Sequence, residues 1–360
     1  MPPSERNSIQ KTARILKWSV LVLFLILVIL PSISGFIASQ PSPPEQLIST
    51  FEQLQKFWLW GFGLFAAIWT FFLGGCFASF LNVVAWRLPQ GKTLLGKSHC
   101  PSCGATLSLK ENMPLIGWMD CGGVSRCCGL PIPSRYFWVE FFLGSIFVLI
   151  IGLEIGLQGI NLPDWMHGES RPRNMGTFPT HLFWWTGLHL SLISILFTCS
   201  LFRFEGDRIP LPFFLFGVLW MGGIYVAMLT IDSHSAKILC DWLPMLKLAC
   251  GGLFAGLVLG SLLSLLTKFV LNQHGLADLR NDIFCGALTG LGLGLTLLPI
   301  AGVIVLLSLG ALRVLGQFGQ SSGWMSATHR WFAATLLTLL LSRLVDHISV
   351  LEPLQHWIFS

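Results

Sequence analysis

Charge is the scarce commodity in this sequence. Only 11% of its 360 residues are Asp, Glu, Lys or Arg, where an ordinary globular chain carries roughly a quarter. The 22 basic and 17 acidic residues are too few to cover a soluble globule of this size, and 53% of the chain is hydrophobic with a mean hydropathy of +0.71. Lipid must therefore be the solvent for most of the surface. The net charge of +5 is small and scattered, which excludes a nucleic-acid-binding domain as the main architecture and nucleic acid as the expected partner. An intrinsically disordered chain and a secreted disulfide scaffold are excluded as well. Internal repeats and low-complexity segments are also lacking.

What is present in quantity is apolar sequence. A spanning helix needs about 20 mostly apolar residues, and runs that qualify fall near 18–38, 58–84, 137–157, 181–202, 211–231, 243–267, 283–299, 300–316 and 331–350. The expected fold is an all-α polytopic membrane protein with about eight or nine transmembrane helices and a small cytoplasmic cysteine-rich module. The two runs divided by Pro299 suit one long broken helix as readily as a tight hairpin, because Gly286, Gly290, Gly292 and Gly294 lie close by. Glycines at four-residue spacing also suit close helix packing. No charge is placed within a span by an evident design.

Lys and Arg set the expected orientation. The tail with Arg6, Lys11, Arg14 and Lys17 reads as cytoplasmic, and so does the segment 86–135, which holds Arg87, Lys92, Lys97, Lys110, Arg126 and Arg135. The same count puts 203–208, 268–280 and 313–330 inside, while 158–180, with Arg171 and Arg173, is the one basic loop on the other face. The first run follows a basic tail and reads as an uncleaved anchor rather than a signal peptide. The chain thus divides into a tail, anchor and outer loop (1–57), a transmembrane helix (58–85), the cytoplasmic cysteine module (86–135) and a transmembrane bundle (136–360).

Five of the ten cysteines, Cys100, Cys103, Cys121, Cys127 and Cys128, fall within 29 residues of the module. Cys100-Pro-Ser-Cys103 is a two-residue-spaced pair able to aim both thiolates at one ion, and a second pair some 20 residues on would complete a tetrahedral zinc ribbon. The second half is irregular. Cys127 and Cys128 are adjacent, so only one is expected to ligate, together with Cys121 or His99. A cytoplasmic loop argues against structural disulfides. The remaining cysteines lie in or beside apolar runs and read as small hydrophobes.

From Gly74 to Leu149 the sequence resembles the N-terminal region of bacterial type IV prepilin peptidases, the membrane leader peptidases of type IV pilus and type II secretion systems. The matching signposts, in order, are Ala78-Ser-Phe-Leu-Asn-Val-Val with Arg87-Leu-Pro, His99-Cys-Pro-Ser-Cys103, Glu111-Asn-Met-Pro114 with Trp118, Cys128-Gly-Leu-Pro-Ile132, and Arg135-Tyr with Val139-Glu140. The resemblance implies a cytoplasmic cysteine module thought to hold zinc through two C-x-x-C pairs. The second pair would fall at positions 125 and 128, and position 125 is Ser125, so Cys121 or Cys127 would have to substitute.

The family's catalytic half carries two aspartates at cytoplasmic helix ends, one of them in a G-x-G-D motif. Gly275-Leu-Ala-Asp278-Leu-Arg280 is the nearest match, and the family's glycines eight and twelve residues beyond its aspartate would fall on Gly286 and Gly290. Asp282 passes the same spacing test with Gly290 and Gly294, while the residues around Asp278 match the motif better. Counting back seven residues from Pro210 to the other expected aspartate reaches Arg203, with Glu205 and Asp207 as the neighbouring carboxylates. The resemblance implies an aspartic endopeptidase of the bacterial cytoplasmic membrane, with Asp278, Asp207, Glu205 and Asp282 as the candidate catalytic acids. Its substrates would be prepilin-like precursors with a basic leader, and S-adenosylmethionine would be the cofactor of a methyl transfer to the new N-terminus. The competing expectation is a catalytically silent relative acting as a membrane scaffold or assembly protein. A transporter is a distant third.

Overall fold

The computed structural model describes residues 49–100, 102–157, 159–163, 180–204, 208–231, 242–271, 276–315 and 327–342. Their elements are helices α1 (Ser49–Arg87), α2 (Ile116–Asp120), α3 (Arg135–Ile151) running on into a π-helical turn (Gly152–Gly156), α4 (Thr180–Phe204), α5 (Leu211–Ile231), α6 (Trp242–Leu271), α7 (Leu276–Leu315) and α8 (Ala327–Leu341). The described residues contain no strand, only the isolated bridges His99↔Thr106 and Val124↔Pro131. This is an all-α polytopic membrane fold. Among the described residues, five helices are long and apolar enough to cross a bilayer: Gly61–Arg87, Arg135–Gly156, Leu182–Arg203, Leu211–Met228 and Leu246–Leu266, with a shorter apolar helix at Leu297–Ser308. The run at 18–38 lies outside the described residues.

The described residues group into two compact units, one within Met1–Asn82 and Leu95–Leu149, the other within Val83–Leu94 and Ile150–Ser360. In the first, α1 and α3 touch backbone to backbone. A Cβ on Gly74 would stand 2.8 Å from Gly144 Cα, and one on Gly144 would stand 2.7 Å from the Phe71 carbonyl. Trp118 of the cysteine module packs on Phe137, with ring centroids 5.5 Å apart, inside a cluster that also holds Leu115, Phe71, Met119, Ile132 and Phe141. The Trp118 indole N–H donates to the Ile132 carbonyl at 3.1 Å, so its one polar atom is satisfied in an apolar setting. The buried Glu140 of α3 accepts the Leu115 amide at 2.7 Å, which fastens the module where Leu115 adopts a φ of 61°. Glu111-Asn-Met-Pro114 and Val139-Glu140, distant in sequence, are thereby joined.

The second unit is built around α4, whose inner half is almost wholly buried. Aromatic contacts tie it to α5 through Phe202 and Phe213 and to α8 through Phe197 and Phe332. Helices α6 and α7 pack along small residues. A Cβ on Gly252 would collide with the Gly290 carbonyl and one on Gly256 with the Gly286 carbonyl, so side chains there would force the helices apart. Backbone polarity inside the unit is met by side chains: Tyr225 donates to the Leu291 carbonyl at 2.9 Å and Asn161 to the Leu339 carbonyl at 3.0 Å, as an apolar solvent requires.

Two sequence expectations are refined here. The runs 283–299 and 300–316 form one broken element, and the break falls at Gly294 (φ 69°, ψ 179°) rather than at Pro299. Only glycine adopts that backbone conformation readily, and Pro299 lies inside the second half, beyond the break. The second refinement concerns ionisable residues within spans. Glu154 and His189 are both fully buried, with Glu154 Oε1 2.9 Å from His189 Nδ1.

Candidate functional site

Two clusters carry chemistry. The first is in the cysteine module, where two short loops face each other. Each closes with an amide of its fifth residue donating to the carbonyl of its first: Gly104 to Cys100 at 2.9 Å, and Gly129 to Ser125 at 2.8 Å. Both closing glycines have positive φ, 72° and 70°, a conformation that other residues adopt only under strain. The loops bring the sulfur atoms of Cys100, Cys103, Cys127 and Cys128 within 4.8 Å of one another. Cys100 Sγ stands 3.8 Å from Cys128 Sγ, and Cys103 Sγ stands 3.2 Å from Cys127 Sγ. His99 and Cys121 are not part of the group, and both adjacent thiols are, where the sequence led one to expect a single ligand from the pair.

The four thiols fit a soft or borderline divalent cation. A Zn–S bond of about 2.3 Å in a tetrahedron puts sulfurs about 3.8 Å apart, the separation of the Cys100–Cys128 pair. The thiol electrostatics agree with that donor set. The Ser125 hydroxyl foremost, then the backbone amides of 102 and 103 and the Cys127 thiol, draw the Cys100 thiol down to about 6 against the opposing effect of burial. The Ala105 amide favours the Cys103 thiolate, yet the Cys127, Cys100 and Cys128 thiols around it push Cys103 up to about 12. Four crowded thiols share little negative charge unless a cation neutralises it. Burial pushes the Cys121 thiol up, in keeping with a packed, un-ionised side chain.

The second gathers around one buried acid. Asp282 lies on α7 at 1% exposure, and its Oδ1 accepts the Trp331 indole N–H of α8 at 3.0 Å. Arg330, next to Trp331, is also buried. One helical turn before Asp282 is Asp278, on the same face of α7; its side chain lies outside the described residues, as do Glu205 and Asp207. The Arg280 guanidinium donates to the Ile209 carbonyl at 2.8 Å and lies over the Phe284 ring. That bond ties the first turns of α7 to the segment following Asp207. Arg203, at the position where the resemblance expects an acid, is grouped with His329 and Arg330. Burial first, then the Arg203 and Arg330 charges, hold the His329 imidazole below its ordinary range.

Trp331, Arg330 and the Glu154–His189 pair were not singled out from sequence. Glu154 and His189 carry a signal that suffices in principle, being ionisable residues inside apolar runs. Trp331 carries none, because its role depends on α8 meeting α7.

Comparison with known proteins bears on the first cluster most directly. Residues 72–153 match the family model described as the bacterial peptidase A24 N-terminal domain. Over this region the chain is similar to the bacterial prepilin peptidases. It is 34% identical over 122 residues to the prepilin leader peptidase/N-methyltransferase of Myxococcus xanthus, covering 29% of this chain and 36% of that protein. It is 41% identical over 98 residues to the protein of the same name from Klebsiella pneumoniae, covering 25% and 40%. These alignments span two fifths or less of the relatives' length. A longer, weaker match, 24% identical over 296 residues, covers 71% of this chain and 88% of the prepilin leader peptidase/N-methyltransferase of Neisseria gonorrhoeae. No solved structure matches. The family model covers the cysteine module and the helices on either side of it, which precede Asp282 in the chain.

Proposed function

We propose that this protein is a prepilin peptidase-like aspartic endopeptidase of the bacterial cytoplasmic membrane, removing the basic leader of type IV prepilin-like precursors at the cytoplasmic face. The observation that carries the reading is the buried Asp282 carboxylate on a helix whose first turns are bonded, through Arg280 and Ile209, to the segment after Asp207. Two carboxyl groups from these segments would share one proton, since close like charges keep one acid protonated and the other ionised. One would activate water while the other protonates the leaving amine. Asp282 or Asp278 supplies one member, and Asp207 or Glu205 the other. The proton belongs to the pair, so the roles of base and acid are not assigned to single residues.

The cysteine module would hold a divalent metal, zinc by the chemistry of four thiolates, as a structural element. Methyl transfer from S-adenosylmethionine to the new N-terminus is supported by the module and by the names of the relatives alone. Incorporation of labelled methyl into cleaved substrate by the purified protein is the measurement for it, and cleavage without incorporation removes it.

A second reading, a catalytically silent relative serving as a membrane scaffold, is favoured by one observation: Arg203 stands where the first acid is expected, beside His329 and Arg330. Cleavage of a prepilin-like substrate by the reconstituted wild type and by Asp207→Ala, Asp278→Ala and Asp282→Ala separates the two. A peptidase loses about 10²–10⁴ in rate when a paired acid is removed. Undiminished cleavage by all three variants overturns the acid assignment, and an inert wild type leaves the scaffold reading.

A further inference from the structure

The two loops of the cysteine module share their closing hydrogen bonds and a left-handed glycine but differ in where their cysteines stand, and that difference identifies the fourth ligand. In each loop the first residue's amide donates to the carbonyl five positions on: Cys100 to Ala105 and Ser125 to Leu130, both at 2.8 Å. Each loop also closes on a left-handed glycine, Gly104 or Gly129, and is flanked by one isolated bridge, His99↔Thr106 or Val124↔Pro131. The equivalence pairs Cys103 with Cys128, Cys100 with Ser125 and Ser102 with Cys127. A regular site would draw its fourth sulfur from position 125, where this chain has a hydroxyl.

The missing sulfur is supplied two residues later. Cys127 Sγ lies 3.2 Å from Cys103 Sγ and 3.0 Å from Ser125 Oγ, which in turn is 3.5 Å from Cys100 Sγ. We propose that Cys127 takes the coordination place that Ser125 leaves open, and that Ser125 is a positioning residue whose hydroxyl bonds to the Cys100 and Cys127 sulfurs without binding the ion. The inference rests on the module being a metal centre. Its ligand set is Cys100, Cys103, Cys127 and Cys128, with Cys121 excluded, and each thiol that coordinates releases its proton to solvent. Adjacent cysteines serve together because the chain turns sharply between Ser125 and Gly129, so consecutive side chains need not diverge as they would along a strand.

The test uses the full-length protein in detergent, reduced, stripped of metal and titrated with Co²⁺ and then Zn²⁺, reading the thiolate charge-transfer and d–d bands and the stoichiometry. The wild type is expected to bind one ion in a four-sulfur spectrum. Cys127→Ser should weaken Zn²⁺ binding by more than the roughly 10–100-fold that loss of an outer-shell partner costs, whereas Cys121→Ser leaves it unchanged. The ligand-swap variant Ser125→Cys/Cys127→Ser should regain the wild-type spectrum and affinity. That recovery guards against a trivial folding defect in Cys127→Ser. Unaltered binding by Cys127→Ser, lost binding by Cys121→Ser or failure of the swap to recover would overturn the assignment of Cys127. A wild type that binds no ion would overturn the metal reading of the module itself, a different result from any of these.

Discussion

Trp331 of the neighbouring helix donates a hydrogen bond to Asp282 Oδ1, and Trp331→Phe removes that donor together with part of a fully buried ring. Depriving a buried carboxylate of one donor costs about 1–3 kcal/mol, so the variant should unfold at lower temperature or denaturant when helicity is followed in detergent. Trp331→Tyr, which can still donate, should fall between the two. If Asp282 also works in peptide cleavage, Trp331→Phe should slow cleavage more than it weakens substrate binding, since it displaces a reacting group and not a binding surface. At this scale the sequence was informative where the spacing was local and silent where the partner came from elsewhere. Cys100 and Cys103 were legible as a C-x-x-C pair. The recruitment of Cys127 was not, because it depends on a turn closed by Gly129 and on loop pairing over 24 residues. The preference for Asp278 over Asp282 rested on the resemblance of the flanking residues, which says nothing about burial.

Helices keep together here by two devices with opposite tolerance to change. Between the π-helical turn after α3 and helix α4, Glu154 and His189 share one hydrogen bond with no exposure of either side chain. Removing one partner leaves the other's polar atom unpaired in an apolar interior, and Glu154→Ala should cost about 1–3 kcal/mol. Glu154→Leu/His189→Leu replaces both groups and should recover most of that loss in the same unfolding measurement, whereas an equally unstable double variant would show that the pair matters for more than its mutual bond. Between α6 and α7 the device is the absence of side chains. Gly256→Ala puts a methyl group on the Gly286 carbonyl, and overpacking of that sort costs about 1–3 kcal/mol or more. Gly223→Ala on α5 meets nothing within 4 Å and should be neutral or slightly stabilising, because alanine favours a helix over glycine by about 1 kcal/mol. Hydropathy located these helices well, since apolar length is a local property. It missed the Glu154–His189 bond because its partners are 35 residues apart, and it divided the two runs at Pro299 where the chain breaks at Gly294.

At the scale of the whole molecule, the distribution of Lys and Arg is the strongest statement about how the chain lies in its membrane. The basic segment 86–135 and the acid candidates near 203–208 and 278–282 should share the cytoplasmic face, and the segment 232–241 should lie on the other. A leader peptidase reading requires that coincidence, because a basic leader is retained on the cytoplasmic side by the same rule. Leu109, 91% exposed within the cysteine module, offers a position for an added thiol, and Ser235 offers one in the opposite segment. With a membrane-impermeant maleimide carrying a polymer tag, Leu109→Cys should add one mass increment over wild type only in inverted vesicles. Ser235→Cys should add it in intact spheroplasts. Reversal of both would turn the module and its acids outward, away from the precursor's leader, and cleavage of prepilin-like substrates at the cytoplasmic face would then be physically inaccessible to this protein whatever the geometry of Asp282.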